Sequence, residues 1–318
     1  MKKDNWTTTN IPDLREKLII VTGGNSGLGF ESVKAFAGKG AHVVMACRSK
    51  EKGIRARSEI IRQNPEGKVE VAELDLADLA SVRCFAEAYK QKYSRLDVLL
   101  NNAGIMTTPY FHTRDGFEGQ MGTNHLGHFA LTGLLLPVLK ETPGSRVVNV
   151  SSMAHKGGKM NFKNLLFEQG KGYSPMKAYS RSKLANLLFT YELQRFFENN
   201  GIDSMAIAAH PGVSQTDLFR YLEEKWYFRM VRPLFNVITQ DGESGALPQI
   251  RASVDPDVKG GEYYGPSGFN EMKGYPVQVY SNGDSHNRED ARKLWEVSEK
   301  LTEVEYFAPA FYQALGEK

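Results

Sequence analysis

TGGNSGLG, at residues 22–29, follows the apolar run Lys17–Val21 and opens a helical pattern that continues through Lys39. Glycines at 23, 27 and 29 would let the backbone turn tightly and approach a pyrophosphate, whose charge a helix N-terminus favours. An ordinary tight turn would use glycine as well, but the strand–turn–helix context favours dinucleotide binding. The residues predicted to hold the dinucleotide here are Gly23, Asn25, Ser26, Gly27, Leu28 and Gly29.

Short apolar runs alternate with longer helical patterns along the rest of the chain. The runs are nearly continuous in apolar residues, as buried parallel strands require. We predict strands at Lys17–Val21, Ala41–Ala46, Val69–Leu74, Leu96–Leu100, Arg146–Val150 and Ser204–Ala209, with a weaker seventh at Glu262–Tyr264. This alternation predicts an α/β fold, a single Rossmann-fold domain whose doubly wound parallel sheet of about seven strands carries helices on both faces.

Composition narrows the class of protein. The 318 residues include 40 basic and 37 acidic side chains, too small an excess to indicate nucleic-acid binding on charge alone. The two cysteines, Cys47 and Cys84, cannot form a disulfide framework, which favours a reducing compartment. Met1–Leu14 lacks the apolar core of a signal peptide, and no stretch approaches the roughly 20 apolar residues of a membrane span. We therefore predict a cytoplasmic protein without an integral membrane segment.

The chain is longer than a usual single α/β domain of about 250 residues, and three segments account for the excess. Gly157–Pro175 is an insertion rich in Gly, Lys and Asn, and Asp284–Lys318 is a charged helix with a tail. The aromatic segment 216–238 could be core, a membrane-surface contact or a lid over an apolar substrate, and its interleaved basic residues favour the lid. The predicted organisation is one domain over residues 1–318, with its core at about 14–267, the lid at about 214–245 and a C-terminal extension at about 284–318.

The end of the second predicted strand indicates which dinucleotide is bound. An NAD-binding protein places Asp or Glu there, about 20 residues after the glycines, to accept hydrogen bonds from the ribose hydroxyls. This chain has Arg48 instead, which could clamp a 2′-phosphate through charge-assisted hydrogen bonds or simply be a solvated surface residue. The missing acid favours NADP(H) over NAD(H). Asp75 and Leu76, after the third strand, suit the adenine edge, although an acid there is also common at a helix N-terminus.

Tyr179 and Lys183, in the stretch YSRSK, lie four residues apart and so on one face of a helix. A phenol titrates near 10 and is a poor acid–base catalyst at neutral pH, but an ammonium one turn away favours the phenolate. Alone, the two could be a surface pair. Further polar or turn residues follow the predicted strands: Asn102, Ala103 and Gly104, then Ser151 and Ser152, and then Pro211, Gly212, Val213 and Thr216. Asn124 lies in the helix predicted after the fourth strand. Because the carboxyl ends of parallel strands converge on a bound dinucleotide, we expect these residues to share one site.

These motifs, in this order, resemble the short-chain dehydrogenase/reductases of the Rossmann-fold superfamily over about residues 14–300. Within that superfamily, several stretches are similar to the retinol dehydrogenase-like branch: ACRSKEKG, RVVNVSSMAH, AYSRSKLANLLFTYEL, HPGVSQTDL and LWEVSEKLT. The long segment between Ser152 and Tyr179 is typical of this branch. Membrane-bound relatives carry an N-terminal anchor helix, which this sequence does not show.

The resemblance implies a role for each candidate residue. Tyr179 would protonate the carbonyl oxygen in reduction, or act as the base in oxidation, and Ser152, the second serine of its pair, would hydrogen-bond the same oxygen. Lys183 would hold the nicotinamide ribose and tune Tyr179, while Asn124 would anchor a water that relays protons to Lys183. Thr216 would bind the carboxamide. The hydride would come from the cofactor.

The predicted function is an NADP(H)-dependent interconversion of an aldehyde or ketone and an alcohol, on a largely apolar retinoid, steroid, lipid aldehyde or xenobiotic carbonyl. Two alternatives use the same scaffold, namely a protochlorophyllide-type double-bond reductase and a non-catalytic NADP(H) sensor or scaffold protein. The complete catalytic set argues against the sensor, which need not retain it. A homodimer or homotetramer is typical of the superfamily, but an extended C-terminus can cover those interfaces.

Three histidines are open to competing interpretations. His125 and His128, three residues apart on a helix, could be a metal pair, but no third ligand lies at useful spacing. Structural or surface roles are therefore favoured, and no metal is predicted. His210 precedes Pro211 at a strand end and could either line the site or be packed.

Overall fold

Eight strands form one sheet in the computed structural model, which describes residues 5–213 and 240–306. The strands are β1 (Leu18–Thr22), β2 (His42–Cys47), β3 (Lys68–Glu73), β4 (Val98–Asn101), β5 (Ser145–Val150), β6 (Ser204–Ala209), β7 (Tyr263–Pro266) and β8 (Pro276–Gln278). They lie in the order β3-β2-β1-β4-β5-β6-β7-β8, and every neighbouring pair is parallel except β7 and β8. The strand order reverses between β1 and β4, which is where doubly wound sheets bind their ligands.

The helices pack on both faces of this sheet. Within the described residues they are α1 (Gly27–Ala37), α2 (Lys50–Gln63), α3 (Leu79–Lys92), α4 (Gly119–Met121), α5 (Gly127–Lys140), α6 (Pro175–Asn199), α7 (Gly242–Val254) and α8 (Arg288–Thr302). Side chains alternate across each strand, so Ile20 packs with α3, α5 and α6 on one face. Its neighbours Ile19 and Val21 pack with α1, α2 and α7 on the other face. The predicted fold class is confirmed.

The sheet has one strand more than predicted. All seven predicted strands are present, and the additional β8 lies beyond the expected core boundary at about residue 267. β8 is a three-residue antiparallel edge strand that begins with Pro276. Proline confines a strand to an edge position and three residues give no periodicity, so the sequence carries no strand signal there.

The C-terminal extension contributes a helix to the core. Within the predicted segment, α8 places Trp295 in an aromatic cluster, with ring centroids 5.4 Å from Phe129, 5.6 Å from Phe196 and 4.5 Å from Tyr306. The Tyr306 hydroxyl donates to the Phe129 carbonyl oxygen at 2.7 Å. The helix is therefore part of the layer formed by α5 and α6. The tail at 307–318 and the aromatic segment 216–238 lie outside the described residues, while residues 242–245, predicted as the end of the lid, begin α7.

Truncation of the central aromatic residue should test this packing. We expect Trp295→Ala to lower the free energy of unfolding by about 3–5 kcal/mol, the usual cost of removing a large buried ring. Urea denaturation measures the change. The exposed neighbour Glu296 supplies the control, since Glu296→Ala should shift stability by no more than about 0.5 kcal/mol. Equal stabilities for the two variants would show that α8 adds nothing to the core.

Within the described ranges, no helix is both long and apolar enough to span a membrane.

Candidate active site

The turn after β1 leaves the N-terminus of α1 without a side-chain cap. Ser26 occupies the N-cap position but accepts no hydrogen bond from the helix, whereas a Ser, Asp or Asn side chain caps α2, α3, α6, α7 and α8. Uncapped N–H groups at a helix N-terminus are donors for an anion. Gly23 and Gly27 have φ of +66° and +55°, and a Cβ on Gly29 would lie 2.4 Å from the Gly23 carbonyl oxygen. This cradle, which only glycine leaves open, fits a pyrophosphate.

A cleft joins this turn to the predicted catalytic residues. It is lined by Gly23, Ser26, Gly27, Leu28, Gly29, Asn102, Ala103, Gly104, Ile105, Met106, Val150, Ser151, Tyr179, Lys183 and Pro211. Eleven of these fifteen were predicted as catalytic or cofactor-binding residues, and Ser151 was expected at the site without a role of its own. Ile105, Met106 and Val150 were missed, although their positions directly after NNAG and at the end of a strand were the available signal. The strand ends thus converge as the topology requires.

Thr22, at the end of β1, joins the glycine turn to the NNAG loop. Its hydroxyl oxygen accepts the N–H groups of Asn102 at 2.9 Å and Ala103 at 3.0 Å. The Asn102 side chain donates back to the Thr22 carbonyl oxygen at 2.7 Å, and its own Oδ1 accepts from Gln249 at 3.0 Å. These bonds hold the loop after β4 against the glycine turn.

His128 extends this network toward Asn124. Its Nδ1 lies 3.0 Å from the Asn124 carbonyl oxygen, which can only accept, so Nδ1 carries the hydrogen. Its Nε2, 2.9 Å from the Thr22 hydroxyl, is then the acceptor. Burial lowers the pKa of His128 to about 4, so the ring is neutral at physiological pH, as this tautomer requires. His128 therefore has a structural role that sequence reasoning did not define.

His125 points elsewhere, toward the hydroxyl of Ser298 in α8 at 2.9 Å. Its ring and that of His128 therefore have different partners. Within the described parts of the chain, no group of three or more His, Cys, Asp or Glu side chains is placed to hold a metal ion.

Asn124 lies in a single π-helical turn, Gly122–Leu126, between α4 and α5. Such turns are frequent at functional sites. The side chain is fully buried: Oδ1 accepts from the N–H of Ile105 at 2.8 Å, and Nδ2 lies 2.9 Å from both the Ile105 carbonyl oxygen and Ser182 Oγ. Asn124 therefore fixes the cleft wall at Ile105, while its role in a proton relay stays a prediction.

Tyr179 and Lys183 lie on the cleft-facing side of α6, which Ser174 caps and Pro175 opens. Lys183 Nζ donates to the Val150 carbonyl oxygen at 2.9 Å and lies 5.7 Å from the centroid of the Tyr179 ring. A Cβ on Gly104 would lie 3.4 Å from the same Nζ. The ammonium is thus held between the ends of β4 and β5, beside the phenol.

The two serines after β5 make different hydrogen bonds. The Ser151 hydroxyl is buried and donates to the Lys183 carbonyl oxygen at 2.8 Å. Ser152 is half-buried, and its Oγ accepts from the N–H of Ala154 at 3.2 Å. Within residues 5–213 and 240–306, no acceptor takes the Ser152 hydroxyl hydrogen. Of the two hydroxyls, that of Ser152 keeps its hydrogen for another acceptor, although Ser152 is not among the residues that line the cleft. Its hydrogen bond to a substrate stays a prediction.

Arg181, between the two serines of YSRSK, fixes the insertion that precedes α6. Its guanidinium donates to the carbonyl oxygens of Lys159, Asn164 and Leu165 at 2.8–3.1 Å and stacks 4.0 Å over the Phe167 ring. These contacts tie the insertion to the helix that carries Tyr179.

The predicted adenosine end lies at the ends of β2 and β3. Arg48 is exposed directly after β2, and Asn25 lines a neighbouring recess with Ser26, Phe30, Lys52, Arg55, Ala56 and Glu59. Asp75 is not a helix cap, because its Oδ1 accepts from the N–H of Ala77 and Asp78 caps α3. Leu76 is buried beside α5, where a Cβ on Gly127 would lie 2.4 Å from its carbonyl oxygen.

The turn after β6 closes the other end of the cleft. Pro211 lines the cleft, and Gly212 has a φ of +69°. The N–H of Val213 donates to the Met272 carbonyl oxygen at 2.9 Å, and Gln240 Nε2 donates to that of Pro211 at 2.6 Å. The last predicted residue of this turn, Thr216, lies outside the described residues.

Comparison with known proteins relates the chain to one enzyme family. The family model for short chain dehydrogenase matches residues 17–226. Human retinol dehydrogenase 11 is 39% identical over 290 residues, which are 91% of this chain and 87% of that protein. Human retinol dehydrogenase 14 is 40% identical over 304 residues, with coverages of 90% and 86%. A solved structure of an uncharacterised protein from Mycobacterium paratuberculosis is 41% identical with a TM-score of 0.79, over 96% of this chain and 100% of that one.

Proposed function

The chain belongs to the short-chain dehydrogenase family, in its retinol dehydrogenase-like branch, and we propose that it is an NADP(H)-dependent enzyme interconverting a carbonyl and an alcohol on a largely apolar substrate. The resemblance predicted from the motifs is confirmed, and the chain is an oxidoreductase.

One observation carries the proposal: Tyr179 and Lys183 line the same cleft as the uncapped N-terminus of α1. An anion-binding turn alone would suit a sensor. A phenol beside a buried ammonium, in the cleft that begins at this turn, is instead the arrangement that an acid–base catalyst requires.

In the proposed reaction each group of the cleft has a task. When bound, the dinucleotide supplies the hydride. The glycine turn holds its pyrophosphate, and Lys183 holds the nicotinamide ribose. Tyr179 donates its hydroxyl proton to the carbonyl oxygen in reduction and removes the proton from the alcohol in oxidation. Ser152 donates a hydrogen bond to the same oxygen, where negative charge develops.

The preference for NADP(H) rests on the charges at the end of β2. Arg48 is exposed there, and Lys52 and Arg55 of α2 line one recess together with Asn25 and Ser26. A 2′-phosphate carries the negative charge that these cations bind, and arginine binds it bidentately. Among the described residues that line the recess, Glu59 is the only acid. An unphosphorylated ribose would meet no carboxylate at the position after β2.

The apolar substrate is supported by two apolar side chains of the cleft and by one on the helix that carries Tyr179. Ile105 and Met106 line the cleft. Met176, one helical turn before Tyr179, is 53% exposed, and positions three apart lie on the same helix face. Apolar side chains beside a few polar groups are typical of sites for apolar ligands.

A substrate screen tests this function. We expect purified protein to oxidise NADPH in the presence of some members of a panel of apolar aldehydes and ketones, and to reduce NADP⁺ with the matching alcohols. Product analysis should show a new hydroxyl group and intact carbon–carbon double bonds. Tight NADPH binding with no turnover of any compound would favour the sensor instead, and loss of a ring double bond from protochlorophyllide would favour the tetrapyrrole reductase.

A further inference from the structure

His210 is a buried histidine, placed between β6 and Pro211, to which the proposed mechanism gives no task. Its side chain is inaccessible to solvent. The N–H of Gly212 donates to its Nδ1 at 3.2 Å, so Nδ1 presents a lone pair. Burial lowers the pKa of His210, which keeps the ring neutral. The single ring hydrogen must then be on Nε2.

A carboxylate lies beside this nitrogen. Glu271, in the loop between β7 and β8, places Oε2 3.0 Å from His210 Nε2. The two atoms are in close contact without the alignment of a regular hydrogen bond, and neither has a hydrogen-bond partner among the described residues. Contact with His210 lowers the pKa of Glu271, and Lys156 Nζ lies 3.5 Å from the other carboxylate oxygen. Glu271 is therefore an ionised carboxylate next to Nε2, where negative charge favours a ring hydrogen over a lone pair.

The surrounding backbone leaves room for this contact. A Cβ on Gly265 of β7 would lie 2.0 Å from His210 Nε2, and one on Gly212 would lie 2.3 Å from the Met272 carbonyl oxygen. Asn270 and Glu271 both have positive φ, at 48° and 56°, a conformation that is costly for residues with a Cβ. Local strain of this kind persists only where neighbouring contacts compensate for it, and it clusters at functional sites.

We propose that Glu271 is a positioning residue for cofactor binding: its carboxylate fixes His210 as the Nε2–H tautomer, so that Nδ1 holds the Gly212 N–H and thereby the Pro211–Val213 turn. Pro211 lines the cleft, so a displaced turn changes the cleft itself. The proposal rests on the proposed function only for the identity of the ligand, because the tautomer is a property of the protein alone.

Nitrogen-15 NMR of the imidazole rings tests the tautomer without cofactor or substrate. The spectrum of His210→Asn assigns the His210 signals among those of the seven histidines. In the wild-type protein we expect a protonated Nε2 and an unprotonated Nδ1. A protonated Nδ1 would overturn the proposal, whatever the variants do.

Variants of Glu271 test the consequence for binding. Glu271→Leu removes the acceptor, and we expect NADPH to bind about tenfold or more weakly, with an altered His210 spectrum. Glu271→Gln keeps an oxygen acceptor, so it should keep the wild-type tautomer and an NADPH affinity within about threefold of the wild-type value. Lys156→Met removes only an exposed ion-pair partner of Glu271 and should have equally little effect. NADPH affinity is measured by fluorescence titration and folding by thermal unfolding.

Two outcomes separate this proposal from the proposed function. Unchanged NADPH affinity in folded Glu271→Leu would overturn the positioning role while leaving the oxidoreductase intact. The expected tautomer and affinity changes, in a protein that turns over no carbonyl, would support the positioning role and contradict the proposed function. If Glu271→Leu does not fold, the wild-type spectrum still tests the His210 tautomer. Glu271→Gln then still tests whether an uncharged acceptor keeps that tautomer and the NADPH affinity.

Discussion

Tyr179→Phe is expected to lower kcat for carbonyl reduction by about 10³-fold, within the range of roughly 10²–10⁴ that a positioned general acid contributes. The substitution removes one hydroxyl group and keeps the ring that packs in α6. The affinity for NADPH should therefore stay close to that of the wild-type protein. Steady-state kinetics with a substrate from the screen, together with a cofactor titration, measures both effects.

Another tyrosine of the same helix provides the matched control. Tyr191 is buried, and its hydroxyl bonds with Ser281 rather than facing the cleft. Tyr191→Phe removes the same atom and should leave kcat within about twofold, since one neutral hydrogen bond adds stability rather than catalysis. If Tyr179→Phe kept more than a tenth of the wild-type kcat, another group would have to supply the proton.

Arg48→Asp should reverse the cofactor preference. Loss of charge-assisted hydrogen bonds and the new repulsion of a carboxylate should weaken NADPH binding by on the order of 10²–10³-fold. NADH should bind no more weakly than before, because aspartate at this position accepts hydrogen bonds from the ribose hydroxyls. The ratio of kcat/KM for the two cofactors gives the comparison.

The control variant must change the net charge of the protein by the same amount as Arg48→Asp does. Arg62 is an exposed arginine in the last turn of α2, at the opposite end of that helix from the recess with Lys52. Arg62→Asp should alter the two kcat/KM values in parallel. Equal weakening of NADPH and NADH by Arg48→Asp would show that Arg48 is a surface residue without contact to the 2′-phosphate.

The sequence predicted the fold well because its signals are local. Buried parallel strands appear as continuous apolar runs. The glycine turn after β1 indicates both the first βαβ unit and the edge of the sheet at which the ligand binds. The packing of Trp295 could not be predicted from the sequence, because Phe129, which Trp295 contacts, lies more than 160 residues earlier in the chain. Nothing in a single sequence indicates which face of a sheet a distant helix will cover.

The candidate site likewise contains residues that could be predicted from the sequence and residues that could not. Residues at strand ends were predicted because topology alone gathers them, as the shared cleft of Gly23, Gly104 and Tyr179 illustrates. His128 was expected to be a structural or surface histidine, and His210 either to line the site or to be packed. Their partners, Thr22 and Glu271, are 106 residues before and 61 residues after them. Such pairings follow from tertiary structure and have no local signature.

Isotope transfer tests the central claim, that this cleft performs acid-assisted carbonyl reduction. The reaction uses NADPH deuterated at the transferable position of the nicotinamide, in separate samples of its two stereoisomers, with a carbonyl substrate from the screen. We expect mass spectrometry to find one deuterium on the carbinol carbon of the alcohol from one stereoisomer only, and no product from Tyr179→Phe over the same interval. Alcohol without deuterium, deuterium on the carbon of a reduced double bond, or equal product from Tyr179→Phe would contradict the account.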